Sequence, residues 1–153
     1  IYLGNCQAAK GVVEAEAALR GLGWQMVTSG RREVKLPIPN LELSGPEYRG
    51  LLATADVVIA NSRFLEGWNR TAHEALLAGT PVVGRPAGGL GDLLSGAGQI
   101  MVNDAGELPT AVTSALERRA ELAARGREFA RKFTLERFNA AWIRLIEEEL
   151  AAG

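Results

Sequence analysis

The sequence predicts an α/β fold, a Rossmann-like parallel sheet of about six strands with helices on both faces and further helices at the C-terminus. Three observations carry that prediction. Short apolar runs alternate with longer segments of helical periodicity through most of the chain. The run VVIA at 57–60 is continuous rather than alternating, as in a strand buried on both faces. From Glu107 onward the periodicity is helical only.

The elements follow in order. Residues 1–5 read as the first strand and 6–11 as the loop behind it. A helix over 12–22 carries Val12, Ala15, Leu19 and Leu22 at helical spacing and stops at Gly23. Residues 24–29 favour a second strand, closed by Gly30. The stretch 31–40 contains Pro37 and Pro39 and reads as a loop, with a ragged strand at 34–36; a third strand follows at 41–43.

Ser44 and Glu47 form a capping-box pattern, with Pro46 in the first turn, for a helix reaching about residue 55. The fourth strand is 57–60. Asn69 is the expected cap of a helix over 70–78. Strand five is 82–84, a short helix spans 90–94, and a last strand spans 99–102. In the tail, Leu108, Val112, Ala115, Leu116, Leu122 and Phe129 form an apolar stripe. Thr134 caps a final helix whose face of Phe138, Trp142, Leu145 and Ile146 is expected to pack as core.

The 153 residues suit one domain, and 47 % apolar with 23 % charged residues is ordinary globular composition. A net charge of -1 argues against a nucleic-acid partner. Cys6 is the only cysteine, which excludes an internal disulfide and fits a reducing, cytoplasmic setting. No apolar run is long enough to span a bilayer, and there is no signal-peptide pattern. Arg118, Arg119, Arg125, Arg127, Arg131 and Lys132 read as a solvated helix face in preference to a membrane-surface patch. The chain opens at Ile1, without Met and already in a strand, so it is expected to be part of a longer protein.

Ligands of open α/β sheets bind beyond the carboxyl ends of the strands. Three polar or glycine-rich loops lie at such ends, 4–11, 61–69 and 84–92. They predict one crevice lined by Lys10, Glu66, Asn69 and the backbone of Gly88 and Gly89. The helix beginning at Arg70 points its free N–H groups there, which favours an anion. Gly67 allows close approach of the main chain. A diphosphate suits this crevice, with Lys10 as the point charge. Glu74, inside the helix, suits hydroxyl donors such as a ribose pair.

Four segments carry a family resemblance. Gly4 to Gly11, G-N-C-Q-A-A-K-G, is similar to a Gly-Arg-x-x-x-x-Lys-Gly phosphate loop. Glu66 to Ala75, E-G-W-N-R-T-A-H-E-A, is similar to Glu-Gly-Phe-Gly…Glu-Ala, with its two glutamates in E-x7-E spacing. G-T-P-V-V-G and G-G-L-G-D resemble the Gly-x-Pro-Val-Val and Gly-Gly-x-x-Glu segments that follow. Together they resemble the C-terminal, donor-binding half of the GT-B retaining glycosyltransferases of family 4, the group 1 enzymes.

The resemblance implies a nucleoside-diphosphate sugar as donor substrate, no cofactor and no metal in this half. It implies that Glu66 holds sugar hydroxyls, that Lys10 stabilises the departing diphosphate, and that Glu74 holds the ribose. Gly67, Trp68, Asn69 and Arg70 would contact sugar and phosphate, with Asn5, Gly88 and Gly89 completing the donor site. Base contacts are expected near residues 29–32 and 38–43. The acceptor, a sugar, lipid or protein, would be held by an N-terminal domain, so this domain alone would bind donor and transfer nothing. The final helix would cross to that domain, leaving Phe138 or Trp142 less buried in this chain. A whole enzyme of hexosyltransferase type, cytoplasmic and associated peripherally with the inner face of the membrane, fits the same reading.

Three residues depart from the pattern: Asn5 replaces the arginine, Asn69 the small residue, and Asp92 the last glutamate. Arg70 or Arg85 is the expected substitute for the missing cation, and Asp92 is expected to cap its helix locally. His73, the only histidine, is expected to be packed or hydrogen-bonded rather than an acid/base group. Two alternatives stand beside the transferase: a nucleotide-sugar epimerase half-domain of the same fold, which would need His73 in the cleft, and a non-catalytic sugar-nucleotide-binding module, which Asn5 would suit. No Gly-x-Gly-x-x-Gly follows the first strand, no Gly-x4-Gly-Lys-Ser/Thr occurs, and no His/Cys cluster suggests zinc.

Overall fold

Successive strand residues point to opposite faces of a sheet, and two separate cores result. Tyr2, Val58, Ala60 and Val82 face one side, against Leu52, Leu76 and Leu93. Leu3, Val57, Ile59 and Val83 face the other, against Val12, Leu19, Leu108 and Val112. The computed structural model describes residues 1–151.

The sheet contains β1 (Tyr2–Asn5), β2 (Val27–Ser29), β3 (Asn40–Leu41), β4 (Val58–Ala60), β5 (Val82–Gly84) and β6 (Ile100–Met101). All neighbours are parallel, in the order β3-β2-β1-β4-β5-β6. Helices α1 (Val12–Leu19), α2 (Gly45–Thr54), α3 (Arg70–Ala78), α4 (Gly89–Gly96), α5 (Leu108–Glu117), α6 (Arg119–Ala130) and α7 (Leu135–Ala151) complete the described chain. The six-stranded parallel sheet with helices on both faces is the architecture the sequence predicts. Strand order reverses between β1 and β4, so the crevice of this fold opens at their carboxyl ends.

Local signals place several elements well. Ser44 N–H donates to Glu47 Oε2 at 2.8 Å, completing the capping box of α2. Asn69 caps α3, and Gly79, at φ 82°, ends it. Elsewhere the boundaries differ, each for a physical reason. Helix α1 stops at Leu19 rather than residue 22, because Arg20 is already extended and Gly21 and Gly23 sit at φ 79° and 80°. Strand β2 begins at Val27 rather than 24, where its ladder with Tyr2 begins. No strand forms at 34–36; Val34 and Leu36 pack against the core beside prolines that lack an N–H.

The expectation that the last stripe is core needs correction. Leu108, Val112, Ala115 and Leu122 are buried. None of the residues of α7 is buried, and Phe138 and Trp142 are 60 % and 52 % exposed. Every residue of α7 is exposed, so its apolar face is left uncovered by the described residues.

Candidate functional site

The loop behind β1 is stitched to the loop behind β4. Gly11 takes a left-handed conformation, φ 68°, and lies so close to Asn61 that a Cβ would overlap its carbonyl. Asn61 Nδ2 donates to Gly11 O at 3.2 Å, and Arg63 N–H donates to Ala9 O at 2.9 Å. Lys10 ends a 3-10 turn over Ala8–Lys10. The stitching brings its ammonium onto Glu66 Oε1, the oxygen that also accepts from Ser62 Oγ. Glu66 is 9 % exposed and Lys10 28 %, so the pair is largely withdrawn from water. The Lys10 ammonium also lies 4.9 Å from the centre of the Phe64 ring.

Gly88 and Gly89 support this loop from behind. Glu66 and Gly88 form an isolated parallel bridge, and Gly89 N–H donates to Glu66 O at 2.9 Å. A Cβ on Gly89 would come within 3.0 Å of the Gly67 backbone, and one on Gly88 would overlap the Glu66 carbonyl. Neither glycine is among the residues lining the crevice. Their small size serves the approach of protein backbone to protein backbone. A side chain at Gly67 would meet no protein atom within 4 Å, so glycine there keeps open space clear.

Helix α3 begins at the same place. Asn69 is buried, and its Oδ1 accepts from Ala72 N–H at 2.9 Å. His73 N–H is taken by the Asn69 carbonyl. The amides of Arg70 and Thr71 have no acceptor within the helix, and both residues line the crevice. The positive end of the helix dipole therefore faces it.

The crevice has two parts. A cavity of about 290 Å³ is lined by Asn5, Lys10, Ser62, Glu66, Asn69 and Trp68, among others. A cavity of about 670 Å³ is lined by Ser29, Gly30, Leu43, Tyr48, Glu74 and Leu77, among others. Asn5, Arg70 and Thr71 border both, so the two cavities adjoin across these residues. Glu74 stands in the second part with Arg70 Nε 3.8 Å from its Oε1. Thus Lys10, Glu66, Trp68, Asn69, Arg70 and Asn5 gather in the first cavity, while Glu74 lies next door. Arg85 borders neither part; its N–H is bonded to Ala60 O at 3.0 Å. Asp92 sits in the first turn of α4 without a capping bond.

Sequence reasoning did not single out Ser62, Thr71 or Tyr48. Tyr48 donates to Thr71 Oγ1 at 3.2 Å, and Tyr2 OH lies 2.7 Å from Ser29 Oγ. The two tyrosines pack edge to face, with centroids 6.3 Å apart. Burial pushes the Tyr2 phenol up to about 12 and raises that of Tyr48 as well. Ser62 had a signal in its loop position after β4; Tyr48, one aromatic on an amphipathic helix, had none.

His73 lines neither cavity. Its Nδ1 accepts from Trp68 Nε1–H at 3.0 Å, and its Nε2 lies 3.0 Å from Ala130 O. It is a packed, hydrogen-bonded histidine.

The profile of the family described as "Glycosyl transferases group 1" matches residues 6–118. No curated protein sequence matches the chain significantly. Among solved structures, HepE of Anabaena in complex with UDP superposes with a TM-score of 0.77 at 21 % identity, over 99 % of this chain and 48 % of that one. Sucrose-phosphate synthase from Thermosynechococcus elongatus gives 0.80 at 22 %, over 99 % and 45 %. The C-terminal domain of LpcC, a group 1 family protein from Francisella tularensis, gives 0.66 at 17 %, over 86 % and 83 %. At these identities the likeness is one of fold. The chain spans about half the length of the first two proteins.

Proposed function

The chain belongs to the group 1 glycosyl transferases and has the fold of one half of a GT-B enzyme, and from that premise we propose that it binds the nucleoside-diphosphate sugar of a retaining, metal-independent transfer. The observation that carries the proposal is this pair of adjoining cavities. They join an ion-paired Lys10–Glu66 and the open amides of α3 to the carboxylate of Glu74. The diphosphate lies at the junction, against Arg70 and Thr71. The nucleoside takes the larger part, its ribose hydroxyls donating to Glu74. The sugar takes the smaller part, its hydroxyls donating to Glu66.

During transfer the bond between the anomeric carbon and the diphosphate oxygen breaks, a bond to an acceptor hydroxyl oxygen forms, and that hydroxyl's proton passes to the departing diphosphate. Negative charge then grows on the departing diphosphate. Lys10 and the amides of α3 supply positive charge fixed in advance of that change, and the exposed Arg70 adds to it. Arg70 takes the part of the cation replaced by Asn5, since it borders the diphosphate position. The epimerase alternative is disfavoured by His73, which lines neither cavity and whose two ring nitrogens are engaged by Trp68 and Ala130.

The proposal extends to a second half, which supplies the acceptor wall and covers the apolar face of α7. The acceptor is a sugar, lipid or protein held there. Among the described residues no helix is long and apolar enough to cross a membrane. Peripheral association of a cytoplasmic enzyme with the inner face of the membrane fits this arrangement, with Cys6 buried and unpaired.

Calorimetric titration with UDP, GDP, ADP and their glucose conjugates, in EDTA, tests the reading. One nucleotide is expected to bind in the ~10 μM to 1 mM range. Absence of binding by all of them at millimolar concentration would overturn it. Adding a donor sugar without acceptor to the whole enzyme should leave the sugar configuration unchanged; an epimerised product would replace the transferase with its rival.

A further inference from the structure

Trp68 belongs to the loop before α3, which has no regular structure of its own, yet its indole is held by two side chains, His73 and Phe133. It borders the smaller cavity and is 42 % exposed. Behind it, Nε1–H donates to His73 Nδ1 at 3.0 Å. An indole nitrogen only donates, so Nδ1 must be the bare acceptor nitrogen and the ring proton sits on Nε2. That proton points at the Ala130 carbonyl, 3.0 Å away. Phe133 closes the cluster, its centroid 4.5 Å from Trp68 and 5.7 Å from His73, with Phe129 a further 5.2 Å away. The imidazole thus spends one nitrogen on the groove wall and the other on the C-terminal end of α6.

We propose that His73 is a positioning residue of the donor groove, fixing the Trp68 indole as one wall of the sugar cavity and anchoring that wall to the end of α6. The proposal rests on the donor-site reading given above. His73 acts on the ligand only through Trp68. A wall ordered before the ligand arrives spares the cost of ordering it on binding, which for one large side chain corresponds to roughly three- to tenfold in affinity. The same link places Phe133, at the junction of α6 and α7, in contact with the groove wall.

Nitrogen-15 labelling gives one indole signal for each of Trp24, Trp68 and Trp142, and the signal absent from Trp68→Phe belongs to Trp68. In His73→Leu that signal should move and its hydrogen exchange should speed at least about tenfold, since its acceptor is gone. The same variant should bind UDP-, GDP- or ADP-glucose, whichever the unsubstituted chain prefers, roughly three- to tenfold more weakly. His73→Gln, whose amide offers one acceptor and one donor, should restore both the signal and the affinity. An unmoved Trp68 signal with unchanged affinity in His73→Leu would overturn the proposal. If His73→Leu does not fold, His73→Gln decides, and weakened binding with an unmoved Trp68 signal in that variant overturns it. Should the unsubstituted chain bind none of the three sugars, the donor reading fails, and the indole signal alone decides whether His73 holds Trp68.

Discussion

Lys10 and Glu66 lie 56 residues apart in sequence and meet as an ion pair at the mouth of the crevice. The pair has a structural consequence as well as a proposed chemical one. Glu66 is nearly buried, and its Oε1 takes bonds from Lys10 and Ser62 only. Removing the ammonium leaves a buried charge with a hydroxyl as its remaining side-chain partner. Lys10→Ala should therefore destabilise the chain by about 2 kcal/mol in urea denaturation. Arg63→Ala, which breaks the exposed pair with Glu14, should cost less than about 0.5 kcal/mol. Equal losses in the two variants would show that burial of the pair has no energetic weight. Lys10 and Glu66 were both legible in the sequence, since each lies in a polar loop after an apolar run. Their contact with each other was not, because nothing local links positions so far apart. Thr71 and Tyr48 stayed hidden for a related reason: hydroxyls on helices have no spacing rule.

At the scale of elements, the crevice depends on how closely the loop after β1 approaches the loop after β4. Gly11 and Gly21 test this cleanly. Both have positive φ, 68° and 79°, but a Cβ at Gly11 would overlap Asn61, whereas one at Gly21 would meet nothing within 4 Å. Gly21→Ala should cost about 1 kcal/mol, the strain of the left-handed conformation alone. Gly11→Ala should cost at least about 3 kcal/mol, strain plus overlap, measured by thermal unfolding. Similar values for both would mean that the loops are not tightly coupled. The legible elements were those with local causes: the buried run of β4, the Ser44 capping box of α2, and the Asn69 cap and Gly79 stop of α3. The ends of β2 and the fate of 34–36 depended on the partner strand and on the core below, which no window of sequence contains. Gly88 and Gly89 were expected to line the crevice as bare backbone; they line neither cavity, and their closeness to the Glu66 loop became visible only in three dimensions.

At the scale of the whole molecule, the open face of α7 sets the chain's behaviour. Leu135, Phe138, Trp142, Ile143, Ile146 and Leu150 are each at least half exposed. The periodicity announced an amphipathic helix but not what it covers, so the stripe was read first as core. In isolation such a surface should drive self-association. Sedimentation velocity should show the chain's mean mass rising between about 5 and 200 μM, and Phe138→Gln with Trp142→Gln should abolish the rise. A chain that stays monomeric throughout would mean that this face is tolerated in water.

The division of the groove is the claim on which the functional account turns, and affinities for a nucleoside diphosphate and its sugar conjugate test it directly. With the preferred nucleotide, Glu74→Ala should weaken both ligands by about tenfold, because both carry the ribose. Glu66→Gln should weaken only the sugar conjugate, leaving the diphosphate within about twofold of the unsubstituted chain. Loss of the diphosphate alone in Glu66→Gln, or no loss of either ligand in Glu74→Ala, would contradict the assignment of sugar and nucleoside to the two parts of the groove.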